Sequence, residues 1–173
     1  TVSQTMMVAQ HLYENGHITY MRTDSVNLSS LAINTSKEEI TNLYGEEYSK
    51  PRNYVTHSKG AQEAHEAIRP TFMSNTSIEG TVQEKRLYEL IWKRTAASQM
   101  ADAQIEKTTA NIEIIPASPA DSILSKDGRG GTLFVANGEV IAFDGFLKVY
   151  RESTDDEDES SQQDMSRTLP VMK

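Results

Sequence analysis

The sequence contains no cysteine, and this absence excludes several kinds of protein. Without thiols the 173-residue chain has no disulfide framework, no thiolate zinc site and no cysteine nucleophile. Long apolar runs are missing too. No stretch approaches the roughly 20 apolar residues of a membrane span, and the first residues lack the charged start of a signal peptide. We therefore expect a soluble, cytoplasmic protein of one or two domains, with no membrane partner.

The excess of acidic residues is confined to one part of the chain. The net charge of −8 at first disfavours a nucleic-acid binder, because such proteins usually neutralise phosphates with Lys and Arg. However, residues 1–100 carry 10 basic and 11 acidic side chains, whereas residues 101–173 carry 7 and 14. Seven of those acids lie between Glu152 and Asp164, with no basic residue among them. The surface of the first part is therefore free to bind anions.

The first hundred residues have mainly helical patterns. Apolar spacing predicts a helix from Thr5 that stops at Gly16, a second that closes at Gly45, and a third over about Val82–Met100. In the third helix four residues share one face, with Trp92 beside it: Leu87, Leu90, Ile91 and Arg94. The candidate caps of the second helix are Asp24, Ser25 and Asn27. Between the helices we expect an extended piece, a loop and a helical turn, at His17–Thr23, Tyr48–Gly60 and Ala61–Ile68.

After Met100 the pattern changes to that of strands. Lys107–Ile115 alternates in the manner of a strand, and two further strands flank Asn137-Gly138, a dipeptide typical of a tight hairpin turn. Those two strands are predicted at Thr132–Ala136 and Val140–Tyr150.

The acidic run at residues 152–164 is poor in apolar residues and should be a solvated loop. A metal site there is disfavoured because the run lacks the Gly and ligand spacing of a calcium loop. A last strand is predicted at Arg167–Met172. The expected fold class is α+β, with a helical domain at residues 1–100 followed by an antiparallel, β-rich segment at residues 101–173.

The stretch from Ile18 to Ser25 gathers a phenol, a guanidinium and several hydroxyl or carboxylate groups at the exit of a helix. A tyrosine is a poor nucleophile near pH 7, because its pKa is about 10, unless a nearby cation favours the phenolate. On an extended chain Arg22 projects to the same side as Tyr20 and could supply that cation. The set therefore suits attack on a phosphodiester. The alternative is a half-buried Tyr20 on a short strand, with Arg22 and Asp24 as a surface ion pair.

A second stretch, Ala61–Pro70, contains His65 and Arg69. On a helix these residues would be i and i+4, so both could face one phosphate. The alternative is that His65 is an ordinary surface residue. A zinc protease is excluded because Arg69 stands where the pattern H-E-x-x-H requires its second histidine.

Taken together, the two stretches resemble a known family. GHITYMRTDS and AQEAHEAIRPT, at residues 16–25 and 61–71, closely resemble the two signature stretches of type IA DNA topoisomerases. The spacing between them and the LYELIWKR helix look like the bacterial topoisomerase I branch. FDGFLKVY also looks like the family, so the resemblance extends from about Thr5 to Val149. Met21 favours this branch, because topoisomerase III enzymes typically have proline after the tyrosine.

The resemblance implies a mechanism and a set of roles. Tyr20 matches the nucleophile that cuts one DNA strand and leaves a 5′-phosphotyrosine, Arg22 the arginine that positions the scissile phosphate, and His65 the histidine that contacts it. Four further residues match the motifs as DNA-binding positions: Thr23, Asp24, Ser25 and Arg69. For Asp24 and Ser25, capping or loop pairing is an equal alternative. The implied activity is ATP-independent relaxation of negative supercoils by single-strand passage, in the bacterial nucleoid.

The resemblance also implies a further domain and a metal site that are not found in this sequence. In the family, Mg²⁺ binds to a separate TOPRIM domain, so we expect the cofactor to lie outside this chain and no metal site within it. The expected partners are DNA, single-stranded at the cleavage site, and the remaining domains of the same polypeptide. We expect a fragment that carries the helical tyrosine domain and one segment of the β arch, and that is inactive alone. The competing interpretation is a non-catalytic nucleic-acid-binding or interaction module on the same scaffold.

Overall fold

The computed structural model describes residues 1–54, 65–114 and 132–150. These contain three α-helices and a pair of antiparallel strands, which confirms the predicted α+β class. The elements are α1 (Val2–Glu14), α2 (Ser30–Tyr44), α3 (Val82–Ser98), β1 (Gln104–Ile114) and β2 (Thr132–Phe143), with 3-10 turns at Glu46–Tyr48 and Gly145–Lys148. The chain divides into a helical unit within Thr1–Ala103 and Asp144–Glu152, and a β unit built on Gln104–Phe143.

The helix ends follow from capping chemistry. α1 ends before Gly16, which adopts a φ of 72°, and α2 ends at Gly45 with a φ of 110°. Both conformations are left-handed and favour glycine, so the predicted stops are confirmed. The predicted caps of α2 are wrong: the cap is Ser29, whose hydroxyl accepts a hydrogen bond from the Ala32 N–H at 3.3 Å. Asp24, Ser25 and Asn27 lie in the irregular segment before it.

The core of the helical unit is formed by one face of α1, the long side chains of α3 and the segment between residues 73 and 78. Tyr88 and Trp92 are buried, and each donates a hydrogen bond to a backbone carbonyl of that segment. On the predicted face of α3, Leu90 is 45% exposed. The buried residues of α3 are Tyr88, Trp92, Thr95 and Ala96. The two aromatic side chains can be buried because their polar atoms find acceptors.

The β unit is a two-stranded ribbon. β1 and β2 pair in continuous antiparallel register from Ile105 opposite Ile141 to Ile114 opposite Thr132. The predicted hairpin turn at Asn137-Gly138 is therefore wrong, since both residues lie within β2. Asn137 instead accepts a hydrogen bond at 2.9 Å from the hydroxyl of Thr109, its partner across the ribbon. Long cross-strand pairing outweighs the local turn preference of the dipeptide.

Two sequence predictions lie outside the described residues, namely the solvated acidic loop at 152–164 and the last strand at Arg167–Met172. None of the helices in the described ranges is long and apolar enough to span a membrane.

Candidate active site

The two stretches singled out in the sequence lie side by side in the helical unit. Ile18 and Pro70 form an isolated antiparallel β-bridge. Next to it, the N–H of Thr71 donates to the carbonyl of His17 at 2.9 Å. Residues before and at a proline favour extended backbone, which suits Pro70 to this pairing.

Thr19 adds side-chain hydrogen bonds to the same pairing. Its N–H donates to the carbonyl of Arg69 at 2.9 Å, and its hydroxyl donates to the carbonyl of Ala67 at 2.8 Å. The hydroxyl oxygen also accepts from the N–H of Arg69 at 2.9 Å. Segments about 50 residues apart in the sequence are thus joined directly before the candidate nucleophile.

The next three residues alternate between solvent and core. Tyr20 is 45% exposed and Arg22 is exposed, whereas Met21 between them is only 5% exposed and belongs to the core. Tyr20 and Arg22 line the same groove, which has a volume of about 570 Å³. The rest of its lining is one face of α1, formed by Ser3, Met6, Met7, Gln10, His11 and Glu14. Arg22 and Asp24 both lie in the described part of the chain, and no ion pair joins them. Arg22 is therefore available to an anion.

Among the residues that the structure describes, the ring of Tyr20 contacts one other aromatic ring. The centroids of Tyr13 and Tyr20 are 5.2 Å apart, and their planes meet at 68°, which is an edge-to-face contact. Tyr13 lies in the last turn of α1 and is 40% exposed.

The residues after Arg22 hold the loop that leads to α2. The hydroxyl of Thr23 accepts from the N–H of Ser25 at 3.1 Å, and the hydroxyl of Ser25 accepts from the N–H of Asn27 at 3.2 Å. Ser25 is buried and Asp24 is exposed. Loop pairing, one of the two roles left open for Ser25, is therefore observed.

The predicted helical turn that places His65 and Arg69 on one face is wrong. Residues 65–69 are not helical, and residues 61–64 lie outside the described part of the chain. The pairing of residues 67–71 with residues 17–19 takes the backbone hydrogen bonds that a helix would need. His65 is partly exposed, and its Cα lies at most about 7 Å from that of Ala67 because only Glu66 stands between them in the chain.

Arg69 is engaged in structural contacts. Its Nε and one terminal nitrogen donate to the two carboxylate oxygens of Glu66, each at 2.9 Å. The other terminal nitrogen donates to the carbonyls of Pro70 and Thr71, at 2.8 and 3.3 Å. A fork-to-fork pair of this kind is strong and directional. Its role in DNA binding stays a prediction.

Glu66 is the residue that sequence reasoning missed. Besides Arg69, its carboxylate accepts from the N–H of Ser29 at 2.8 Å, so it ties the start of α2 to the second stretch. Burial raises the pKa of Glu66, but the hydrogen bonds from Arg69 and Ser29 outweigh it and hold this pKa below its usual value. The signal in the sequence was an acid three residues before Arg69, which was assigned to no contact.

The described residues contain no group of three His, Asp or Glu side chains that could hold a metal ion. The residues present in those ranges therefore do not fit the Mg²⁺ that the resemblance implies.

The comparisons with known proteins identify the family. The family model described as DNA topoisomerase matches residues 1–173. The chain belongs to the DNA topoisomerase family. It is 45% identical to the DNA topoisomerase 1 of Mycobacterium leprae over 98% of the chain, and 47% identical to that of Streptomyces coelicolor over 96%. It spans 18% and 17% of the length of these relatives.

A solved structure supports the same assignment. The full-length topoisomerase I of Thermotoga maritima has a TM-score of 0.65 and 36% identity, over 89% of this chain and 24% of that one.

Proposed function

We propose that this chain supplies the cleaving tyrosine of an ATP-independent type IA DNA topoisomerase, which relaxes negative supercoils by passing one strand through a transient break in another. One observation carries the proposal: exposed Tyr20 and exposed Arg22 share a groove at the point where the two signature stretches are hydrogen-bonded together. Membership of the DNA topoisomerase family supports it.

In the proposed reaction the Oη of Tyr20 attacks the scissile phosphorus, and the bond from phosphorus to the 3′ oxygen breaks. The phenol loses its proton and the leaving 3′ oxygen gains one, so the products are a 5′-phosphotyrosine and a 3′-hydroxyl. Attack by that hydroxyl on the phosphotyrosine reverses both steps. One phosphate ester replaces another, so no ATP is needed. Arg22 stabilises the charge that develops on the phosphate oxygens.

The other site residues have supporting roles in this proposal. His65 contacts the scissile phosphate from the second stretch, which the pairing of Thr19 with Ala67 holds beside Tyr20. Asp24 and Arg69 bind DNA or shape its path, together with Thr23 and Ser25, whose hydroxyls hold the loop.

The proposed enzyme acts on DNA that is single-stranded at the cleavage site, in the bacterial nucleoid. Its Mg²⁺ would be held by the remaining domains of the full-length polypeptide, and residues 1–173 alone would then be inactive. The non-catalytic binding module is the competing outcome of the experiment below.

The test is covalent trapping with the full-length enzyme. The enzyme is mixed with Mg²⁺ and a single-stranded oligonucleotide labelled at its 3′ or 5′ end, and is denatured during the reaction. We expect the 3′ label to be transferred to the peptide that contains Tyr20, and the 5′ label to be released on a shortened strand. Tyr20→Phe should abolish the adduct while non-covalent binding stays within about twofold, because only the reacting oxygen is lost.

A matched control is Tyr54→Phe, which removes the hydroxyl of another tyrosine of similar exposure in the helical unit. It should form the adduct at the wild-type level. Adduct formation by Tyr20→Phe at the wild-type level, or an adduct on another peptide, would exclude Tyr20 as the nucleophile. Binding of DNA by the wild type without any adduct would establish the binding module instead.

A further inference from the structure

The residues on both sides of Tyr20 are held in place by hydrogen bonds and by burial. These contacts do not determine the rotamer of the Tyr20 side chain. Thr19 is held by its hydrogen bonds to Ala67 and Arg69, and Met21 is buried in the core. The phenol ring of Tyr20 lines the groove, and the backbone hydrogen bonds on either side of it do not by themselves select one of the wells of χ1 and χ2. In-line attack requires the reacting atoms to be about 3–3.5 Å apart with aligned orbitals, so the rotamer of this ring affects the rate.

Tyr13 is placed to restrict that rotation. Its helix is anchored by Leu12, which has no exposed surface, and by Ala9, which is buried in the same core. Tyr13 itself is 40% exposed, so its ring contributes little to that core. What the ring does contact is the ring of Tyr20, edge to face at 5.2 Å.

The end of α1 explains how residues seven apart in the sequence meet. The N–H of Gly16 donates to the carbonyl of Tyr13 and the N–H of His17 donates to that of Leu12, both at 2.9 Å. Gly16 has a φ of 72° and reverses the chain at this point. The segment that follows runs back beside the last turn of α1 and brings Tyr20 against Tyr13.

We propose that Tyr13 is a positioning residue, whose ring holds the phenol of Tyr20 in the rotamer that faces the groove shared with Arg22. The inference deepens the proposed function and rests on Tyr20 being the nucleophile. Tyr13 takes no part in the chemistry, and its hydroxyl is not needed. The contact depends on an aromatic edge or face, which phenylalanine also supplies.

The experiment measures single-turnover cleavage by the full-length enzyme on a saturating single-stranded oligonucleotide. We expect Tyr13→Ala to slow adduct formation about 2- to 12-fold, the range that the energy of one ring contact corresponds to. Tyr13→Phe should restore the rate to within about twofold of the wild type, because the ring is retained. The affinity of each variant for the oligonucleotide, measured in the Tyr20→Phe background, should match that of the parent.

Two further variants separate positioning from general damage to the fold. Leu31→Ala removes an exposed side chain of α2 that does not line the groove, and it should cleave at the wild-type rate. Tyr13→Leu keeps bulk without a ring and decides the matter where Tyr13→Ala fails to fold. A slow Tyr13→Leu enzyme supports the proposal, and a wild-type rate overturns it.

The outcomes also distinguish this inference from the proposed function. A wild-type adduct on Tyr20, combined with an unchanged rate in Tyr13→Ala, overturns the positioning role and leaves the nucleophile in place. Equal slowing in Tyr13→Phe and Tyr13→Ala also overturns it, because the hydroxyl and not the ring would then matter. If the wild-type enzyme forms no adduct on Tyr20, both the proposed nucleophile and the positioning role of Tyr13 are excluded.

Discussion

Glu66 organises the candidate active site without being one of its reacting groups. Its carboxylate receives two hydrogen bonds from Arg69 and one from the N–H of Ser29. Directly after it, the N–H of Ala67 donates to the carbonyl of Asn27 at 2.8 Å. The loop that follows Tyr20 and the stretch that contains His65 are therefore held to each other by one acidic side chain and its neighbour.

We expect Glu66→Gln to lower the free energy of unfolding of the chain by about 1–3 kcal/mol, because a neutral amide loses the charged, two-point contact with Arg69. Trp92 is the chain's single tryptophan and lies in the core of this unit, so denaturant unfolding can be followed by its fluorescence. Glu89→Gln is the control, because its carboxylate pairs with Lys93 on the exposed side of α3. That substitution should cost no more than about 0.5 kcal/mol. Equal costs for the two variants would contradict the role of Glu66.

The difference in free energy of unfolding between wild type and Glu66→Gln should depend on pH, because the pKa of Glu66 is lowered in the folded chain. A carboxyl whose pKa is lower in the folded than in the unfolded chain adds stability above its unfolded pKa, about 4.3, and loses it as the pH falls through the folded value. The stability gap between wild type and Glu66→Gln should therefore be constant near pH 7 and shrink below about pH 4.3. A stability gap that widens on acidification would mean that folding raises the pKa of Glu66 instead of lowering it.

Among secondary-structure elements, α3 begins with a side-chain cap on both sides of its first turn. The hydroxyl of Thr81 accepts from the N–H of Glu84, and the carboxylate of Glu84 accepts from the N–H of Thr81, which completes a capping box. The pKa of Glu84 is lowered, chiefly by the hydrogen bond from the Thr81 backbone. α3 supplies Tyr88 and Trp92 to the core that also contains Met21, the residue directly after Tyr20. The capping box therefore stabilises the helix against which this part of the site is packed.

Thr81→Ala should lower the free energy of unfolding by about 0.5–2 kcal/mol, because the substitution leaves the N–H of Glu84 without its capping acceptor. Thr76→Ala is the matched control, since Thr76 is exposed and lies outside the helix. It should change the stability by less than about 0.5 kcal/mol. The measurement is again unfolding followed by Trp92 fluorescence, and an equally stable Thr81→Ala chain would mean that water replaces the cap at no cost.

At the scale of the whole molecule, the helical unit is closed by a segment that returns to it after the β unit. The N–H of Phe146 donates to the carbonyl of Ala101 at 2.9 Å, and Tyr48 donates its hydroxyl to Asp144 at 2.8 Å. Gly145, between Asp144 and Phe146 in the sequence, has a φ of 49°. A Cβ at this position would be 2.6 Å from the carbonyl oxygens of Ala101 and Asp102. Only glycine lets the returning backbone approach so closely.

We expect Gly145→Ala to destabilise the helical unit by about 2–5 kcal/mol, because left-handed strain and steric overlap add. Gly16→Ala separates the two effects, since Gly16 has a φ of 72° but nothing within 4 Å of the added carbon. Its cost should be limited to about 1–2 kcal/mol of backbone strain. Comparison of the two unfolding curves checks this, and a smaller cost at Gly145 than at Gly16 would show that the overlap is relieved.

Local features that depend on neighbouring residues could be predicted from the sequence. The glycines that stop α1 and α2 and the motif that marks Tyr20 are encoded within a few positions, because backbone preference and capping act over one or two turns. The class of fold follows from the change in periodicity after residue 100. The family could be predicted for the same reason, since its two motifs are short and continuous.

Features that depend on partners far away in the chain became visible only in the folded structure. Ala67 and Arg69 are not helical because Thr19 and Asn27 take their backbone hydrogen bonds, and Asn137-Gly138 lies within a strand because β1 pairs along its length. The contact between Tyr13 and Tyr20 requires the chain reversal at Gly16, and the role of Glu66 requires Ser29 to lie beside it. Such contacts involve groups that are many residues apart, so no local preference in the sequence specifies them.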